Sequence, residues 1–249
     1  MLILEMLIPC RKDKHSVSVR RKFNNLVIVV LNTLILRFSL PIAAVSVAMW
    51  ASANNIGLLS AFGISEWLKV IIALLVLDFA IYLQHVLFHY IPVLWRIHRT
   101  HHADMGFDVT TGLRFHPIEI MLSMLIKFAV IILIGAPVLA VIIFEIVLNA
   151  TAMFNHSNIK LNKAFDRLLR IFVVTPDMHR VHHSTIARET NSNFGFNLPI
   201  WDKLFRTYIA QPRKAHTDMD IGLDNFKDRK QTQNILGILK IPFVETKRK

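Results

Sequence analysis

The sequence predicts an all-α protein: an integral membrane helical bundle of about four membrane helices in two hairpins, topped by a cytoplasmic helical cap. Apolar residues make up 53% of the 249-residue chain and its mean hydropathy is +0.45, which is high for a soluble protein. Several apolar runs approach the roughly 20 residues that a membrane-spanning helix needs. Eight of the twelve histidines form three tight clusters beside these runs.

The N-terminal part is predicted to be a basic cytoplasmic segment over residues 1–23, followed by a membrane-embedded domain over residues 24–212. An apolar stretch precedes the basic one, which is the reverse of a secretory signal, so no cleaved peptide is expected. Residues 24–50 are apolar apart from Arg37 and a few small polar groups. They form either one long tilted span or two shorter pieces broken near Arg37 and Pro41.

The next predicted elements are a loop and a second span. Residues 51–65 carry no charge and include two glycines, which indicates a short external loop. The span runs from Glu66 to Ile91. Pro92 closes it, because proline cannot continue a helix. The segment 92–118 that follows is polar.

A second hairpin is predicted over residues 119–134 and 137–154. Its two apolar arms are separated only by Gly135-Ala136-Pro137, which is typical of a tight turn. Lys127 and Glu145 make the arms less than ideal as full spans. A re-entrant hairpin is therefore an alternative.

The distribution of lysine and arginine predicts the topology. Residues 1–25 carry six, residues 51–65 none, residues 92–118 three and residues 155–249 seventeen. Because basic loops stay in the cytoplasm, both termini and all histidine clusters are expected on that side of a bacterial inner membrane or of the endoplasmic reticulum. Residues 213–249 are expected to form a basic polar C-terminal tail, of which residues 213–234 are predicted to be loosely packed.

Charge and cysteine content exclude several classes of protein. The net charge is +12, but no recognition motif or basic-aromatic module accompanies it, so nucleic-acid binding is not expected. Attraction to anionic lipid headgroups explains the charge better. The single cysteine, Cys10, excludes an internal disulfide framework and any all-thiolate metal site.

The three histidine clusters carry the strongest chemical signal. They are His85-Val-Leu-Phe-His89, His98-Arg-Thr-His101-His102 and His179-Arg-Val-His182-His183. Residues three and four apart on a helix share a face, so each cluster can direct its imidazoles to one place. Imidazole is the commonest protein ligand of transition metals. The HxxHH spacing occurs twice, the second time after a helix start at Thr175-Pro176.

Three more residues are candidates for the same site. His156 ends the second hairpin at the expected cytoplasmic level and is predicted to be a ligand. His116 is a candidate as a ligand or as a hydrogen-bond partner of one. Asp78, two helical turns deeper than His85, either orients a histidine or pairs with a buried polar group of another helix. His15 and His216 are expected to be solvated.

The number of imidazoles predicts a di-metal histidine site, because one ion cannot bind so many. The predicted ligands are His85, His89, His98, His101, His102, His156, His179, His182 and His183. Nitrogen ligation suits iron, zinc or copper. Two other classes remain as alternatives, a metal or proton transporter lined by histidines and a membrane protein that binds b-type haem.

At these residues the chain resembles the fatty acid hydroxylase/sterol desaturase superfamily, over about residues 66–208. The motifs that carry the resemblance are Asp78, Tyr82 and the first histidine cluster; Leu94 to His102; Arg114 to Glu119; Asn155 to Asn158; Thr175 to His183; Asn193 to Gly195; and Trp201 to Thr207. Arg206 stands where the family commonly has glycine, which we interpret as a loop variation outside the metal site.

The resemblance implies a membrane-bound di-iron oxidoreductase. Such an enzyme uses O2 as co-substrate and electrons from a separate donor, such as a ferredoxin, cytochrome b5 or a reductase. It hydroxylates, desaturates or oxidatively cleaves a fatty acyl, sterol or related lipid. Zinc can replace iron during isolation. The choice among these lipids and outcomes stays open at the level of sequence.

Overall fold

The computed structural model describes residues 1–12 and 18–246, and every regular element in these ranges is helical. Apart from two isolated β-bridges, these residues form no β-structure, so the all-α prediction is confirmed. The helices are α1 Leu2–Leu7, α2 Val19–Ser39, α3 Ala44–Ala53, α4 Glu66–Tyr90, α5 Pro92–His102, α6 Pro117–Ile134, α7 Val138–Asn155, α8 Lys163–Leu169, α9 Pro176–His182, α10 Ala187–Thr190, α11 Ile200–Leu204, α12 Arg229–Gln233 and α13 Ile235–Lys240. Short 3₁₀ turns occupy Leu58–Ala61, Thr111–Leu113 and Ile241–Phe243.

Four segments are long and apolar enough to cross a membrane, as predicted. They are Val19–Ala61, Glu66–Tyr90, Pro117–Ile134 and Val138–Asn155. Large apolar side chains point outward from them, including Phe38 at 83% exposure and Trp67 at 70%. Such a surface is stable in lipid rather than in water.

The first membrane segment consists of two helices. Residues 40–43, which include Pro41, separate α2 from α3, because proline lacks the N–H needed to continue the ladder. α2 packs against α6, and α3 packs against both α6 and α7. Of the two alternatives for residues 24–50, the broken form is therefore the observed one.

Both hairpins turn at the same end of the bundle. Gly135, at φ +66°, ends α6, and α7 begins at Val138, so the predicted tight turn is confirmed. Gly57 of the first hairpin adopts φ +106°, and a Cβ built on it would lie 2.0 Å from the Gly135 nitrogen. Only glycine allows the two turns to approach this closely.

The apolar core lies between α3, α4, α6 and α7. Ala48, Ala73 and Ala140 are fully buried there. Small side chains let membrane helices pack closely without a hydrophobic driving force. α4 contacts α5, α6 and α7, and it delivers its C-terminal end to the side opposite the glycine turns.

A buried ion-pair cluster fastens the start of α2 to the loop after α5. Arg21 donates to Asp104 at 2.7 Å and to Asp108. Asn25, one turn later on α2, also donates to Asp104, at 3.0 Å. All four side chains are buried. A buried charge costs several kcal/mol unless it is paired. This cluster therefore fixes the start of α2 against the loop that follows α5.

The C-terminal region differs from the loose packing predicted for residues 213–234. Met219, Phe226 and Thr232 are buried there. Further on, the Arg99 side chain donates to the carbonyls of Ile241 and Val244, so the region also covers α5. Apolar residues are sparse within residues 213–234, and their burial depends on contacts with other parts of the chain, which explains the wrong prediction.

The N-terminal segment is also fastened, through Glu5, to the loops that follow α5 and α7. Glu5 of α1 accepts from the backbone N–H of Val109 at 2.8 Å and of Asn158 at 2.7 Å. α2 then begins at Val19, five residues before the predicted domain boundary. The boundaries at residues 23 and 212 stay predictions.

The buried cluster yields a stability prediction. Arg21→Met should lower the free energy of unfolding by about 3–5 kcal/mol, because two buried carboxylates lose their cation. Lys22→Met is the matched control: Lys22 lies 3.5 Å from the same Asp108 but is 37% exposed, so we expect a loss below about 1 kcal/mol. Thermal unfolding in detergent compares them, and equal effects would contradict the anchoring role.

The turn after α11 yields a second prediction. Arg206 adopts φ +59°, in the left-handed region, where a residue with a Cβ is strained by about 1–2 kcal/mol. Arg206→Gly should therefore stabilise the protein by about 1 kcal/mol. Asn55, at φ +54°, is the control, because asparagine tolerates this region and Asn55→Gly should change little. A lower unfolding midpoint for Arg206→Gly would refute the strain.

Candidate metal centre

The nine predicted histidines converge into two groups of buried rings, and within each group the candidate ligand nitrogens lie within 4.8 Å of one another. None of the nine residues is more than 8% exposed. The first group is His85, His89, His98, His102 and His182. The second group is His101, His156, His179 and His183.

The repeated HxxHH spacing divides between the groups in a complementary way. The outer pair of the α5 cluster belongs to the first group, and its middle residue, His101, belongs to the second. The α9 cluster reverses this division, so that its outer pair lies in the second group and His182 lies in the first. Outer residues four apart share a helix face. Each helix therefore contributes to both groups.

Four helix ends bring the rings together. His85 and His89 end α4, and His156 directly follows α7. α9 begins as predicted, with the Thr175 hydroxyl accepting from the Met178 N–H and proline at its first position. The histidine groups thus lie at the end of the bundle opposite the glycine turns.

Five rings have Nδ1 bonded to an oxygen acceptor. These bonds join His85 to the Phe194 carbonyl (2.9 Å), His182 to the Ser192 carbonyl (2.7 Å), His156 to the Ala152 carbonyl (2.8 Å), His98 to the Glu119 carboxylate (2.6 Å) and His89 to the Asn191 amide oxygen (3.2 Å). Because these oxygens only accept, Nδ1 carries the proton and Nε2 keeps its lone pair. A metal-binding histidine is usually oriented in this way.

The remaining nitrogens fit a metal ion in each group. The Nε2 atoms of His85, His98 and His182 are buried and have no hydrogen-bond partner among the described atoms. In the second group, the Nε2 atom of His156 lies 3.2 Å from that of His101 and 2.9 Å from that of His179. Two nitrogens that bind one metal at about 2.0–2.1 Å are about 3 Å apart. The nitrogen donors suit iron, zinc or copper.

Burial favours the uncharged form of six histidines that lie outside the membrane-spanning segments. It lowers the pKa of His182 to about 3 and that of His156 to about 4. The pKa values of His101, His102, His179 and His183 also lie well below the ordinary value, through burial first and the neighbouring rings second. Neutral imidazole is the form that binds a metal.

Asp202 organises the loop that orients His85. Its carboxylate accepts from the N–H groups of Phe194 (2.8 Å) and Gly195 (2.7 Å) and from the Thr207 hydroxyl (2.7 Å). Burial raises the pKa of Asp202 to about 6. A Cβ on Gly195 would lie 2.6 Å from the Asp202 carboxylate. These residues stood in the motifs, but sequence reasoning gave them no role at the site.

Two further residues at the site were missed. Glu119 binds His98. The sequence feature that could have identified Glu119 is its position as an acidic residue in the first turn of a largely apolar helix. Gly112 packs against the His156 ring, where a Cβ would lie 2.9 Å from Nδ1. No local pattern distinguishes Gly112 from a loop glycine.

The two secondary candidates lie outside both groups. Asp78 accepts from the Trp201 indole at 2.8 Å and from the Leu198 N–H at 3.3 Å. Its two-turn distance from His85 amounts to about 10 Å along the helix. The alternative for Asp78, pairing with a polar group elsewhere, is the observed one. His116 caps α6, and its ring lies 3.3 Å from the Leu239 carbonyl.

The two histidines expected to be solvated have different outcomes. His15 lies in residues 13–17, outside the described residues. His216 is not solvated: its side chain is only 13% exposed and lies 3.8 Å from the Asp177 carboxylate. The packing of the C-terminal region accounts for this difference.

A cavity of about 360 Å³ reaches both histidine groups. Side chains of α2, α4, α6 and α7 form its walls, among them Met153, which is 40% exposed. His85 and His98 of the first group also line it, together with His101 and His179 of the second. A long apolar molecule in this cavity would therefore lie next to both groups.

Comparison with known proteins identifies relatives that act on lipids. Ornithine lipid hydroxylase OlsE of Rhizobium tropici is 31% identical over 186 residues, which are 74% of this chain and 54% of the relative. Alkylglycerol monooxygenase of Homo sapiens is 30% identical over 144 residues, 57% of this chain and 31% of the relative. The Xenopus tropicalis alkylglycerol monooxygenase is 30% identical over 138 residues, 55% of this chain and 30% of the relative.

The matched region thus spans about half of the first relative and under a third of the other two. No solved structure shows a significant match. The model of the fatty acid hydroxylase family matches residues 70–207, which include most of α4, all of α5 to α11 and all nine histidines. Since this match covers more than half of the chain, the protein belongs to the fatty acid hydroxylase family.

Proposed function

We propose that this protein is a membrane-bound di-iron oxygenase that hydroxylates a lipid. O2 is the co-substrate, and a separate protein supplies the electrons. The names of the relatives, a lipid hydroxylase and an alkylglycerol monooxygenase, support this class of reaction. Desaturation and oxidative cleavage of a fatty acyl or sterol lipid are alternative outcomes at the same centre.

One observation carries the proposal: two groups of buried imidazoles both contribute rings to the lining of one apolar cavity. A purely structural cluster of histidines would not leave buried nitrogens without partners, because each costs about 1–3 kcal/mol. Lipid in the membrane can enter the cavity without passing through water. The arrangement therefore brings a C–H bond and two metal positions together.

The donor set holds two ions, one in each group. Iron, once bound, supplies the reduction of O2 and the removal of a hydrogen atom from an unactivated C–H bond. Iron is preferred over zinc because hydroxylation is an oxidation and zinc has no redox chemistry. Zinc in isolated protein would reflect replacement of the physiological metal.

The surrounding residues position the ligands and exclude water. The Nδ1–H bonds to Phe194, Ser192 and Glu119 hold ligand rings of the first group in one orientation. Phe115 stacks on His101, with ring centroids 4.5 Å apart and planes at 9°. Rings fixed in this way would hold the metal ions in place, and exclusion of water would protect the oxidation chemistry from side reactions.

We propose that the histidine end of the bundle faces the cytoplasm, in a bacterial inner membrane or in the endoplasmic reticulum. No lysine or arginine lies in the loop between α3 and α4, whereas seventeen lie in residues 155–249. A basic cap suits an acidic donor such as a ferredoxin or cytochrome b5, and a reductase serves the same purpose. Nucleic acid is not an expected partner.

The transporter and haem alternatives receive less support. A transporter holds its ligands near the middle of the membrane, whereas the histidines here lie at one end of the helices. Haem needs two axial histidines, and nine converge in this site.

Metal content tests the centre directly. The purified protein should hold two iron ions, and His182→Ala or His156→Ala should each remove at least one, because each variant depletes a different group. His116→Ala is the matched control, since His116 is buried but belongs to neither group. Elemental analysis and absorbance spectra of membrane-extracted protein measure the outcome. A strong Soret band, or equal loss in the control, would refute the assignment.

Lipid analysis tests the reaction. Cells that produce the protein in isotopically labelled O2 should accumulate a lipid with one labelled oxygen atom, and cells that produce the His182→Ala variant should not. Purified protein with NAD(P)H alone should be inactive, and an added ferredoxin or cytochrome b5 with its reductase should restore turnover. Identical lipid profiles for wild type and variant under aerobic growth would contradict the proposed function.

A further inference from the structure

Three acceptor oxygens in the cavity have no hydrogen-bond partner among the described protein atoms. They are Oδ1 of Asn32, Oε1 of Gln84 and Oε2 of Glu119. All three residues line the cavity, and Asn32 and Glu119 are only 7% and 3% exposed. They come from three different helices, α2, α4 and α6, so only the tertiary fold brings them together in one cavity.

The other atoms of these side chains fix them around the first turns of α6. Asn32 donates through Nδ2 to the Phe115 carbonyl at 2.9 Å, two residues before α6 begins. Gln84 donates through Nε2 to the Ser123 hydroxyl at 2.7 Å, one turn after Glu119. One N–H of each amide is thus bonded, and the two amide oxygens and Oε2 of Glu119 have no partner among the described atoms.

The cavity supplies no free cation for these oxygens within the described residues. Lys127, eight residues after Glu119, is paired with Glu145 at 2.6 Å. It lies about 12 Å further along α6. An unpaired buried acceptor costs about 1–3 kcal/mol. The three oxygens together therefore favour a ligand that brings its own hydrogen-bond donors.

We propose that Asn32, Gln84 and Glu119 form a subsite for hydroxyl or ammonium donors on the polar part of the lipid. The inference rests on the proposed function, in which the cavity receives the lipid. Because Glu119 also binds His98 at 2.6 Å, the subsite holds the polar part of the lipid beside the histidines. The apolar chain extends between α2, α6 and α7 toward the membrane.

Binding of matched lipids tests the subsite without turnover. The probes are hexadecylglycerol, which carries two free hydroxyls, its dimethylated ether, which carries none, and hexadecylamine. Native mass spectrometry of the zinc-loaded full-length protein in detergent measures their affinities. Wild type should bind hexadecylglycerol or hexadecylamine at least about tenfold more tightly than the dimethylated ether. The tighter of the two identifies the donor as hydroxyl or ammonium.

Substitutions test whether Asn32 and Gln84 cause the difference in affinity between the probes. The double variant Asn32→Leu with Gln84→Met keeps side-chain volume and removes two acceptors. The ratio of the affinity for the donor-bearing probe to that for the dimethylated ether should then fall close to one. Asn24→Leu is the matched control, on the same helix but outside the cavity, and should keep the wild-type ratio. Metal content and the unfolding midpoint verify that each variant is folded, and the ratio itself is unaffected by a general loss of binding.

Two results would overturn the subsite: equal binding of all three probes by wild type, or an unchanged ratio in the double variant. Either would mean that water, rather than lipid, satisfies the acceptors. Failure of the proposed function is distinguishable. Selective binding without oxidation of any lipid would refute the oxygenase and support the subsite. Lipid oxidation without selective binding would support the oxygenase and refute the subsite.

Discussion

The rest of the structure depends on nine imidazole rings that are packed into one buried volume. Their nitrogens approach to 2.9 Å between His156 and His179, and several have no protein partner. Without a metal such packing is costly, because buried nitrogens lose their bonds to water. The fold therefore has to hold rings from four helices against this cost, and fixed Nδ1–H acceptors do so for five of them.

The cap keeps these helix ends in register through contacts distant in sequence. Arg21 ties α2 to Asp104, just after the α5 histidines. Arg99, between two of those histidines, is held by carbonyls of the C-terminal region. Glu5 contacts the backbone at Asn158, just after His156. Both ends of the chain thus brace the site. Each of these contacts satisfies a buried polar group that would cost about 1–3 kcal/mol if it were left without a partner.

The predictable parts of this protein are those that local geometry determines. The i, i+4 spacing of His85 and His89 and the Thr175-Pro176 helix start depend on a single helix, and sequence sufficed for both. The division of each HxxHH cluster between two groups depends on how α5 and α9 face each other. Glu119 and Asp202 act through partners far along the chain. Such pairings leave no periodic pattern, and the packed C-terminal region escaped prediction for the same reason.

The location of the histidines is compatible with the proposed function, in which one site serves both a membrane lipid and a soluble electron donor. The rings lie at the ends of α4 and α7, where the bundle meets the cap. From one side the cavity reaches them between α2, α6 and α7. α6 and α7 are joined through Gly135 and bridged by Lys127 and Glu145. α5 and α9 carry the two HxxHH clusters and are not membrane-spanning segments. In the proposed function, lipid would therefore reach the rings through the cavity between the membrane helices, and electrons would reach them through α5 and α9.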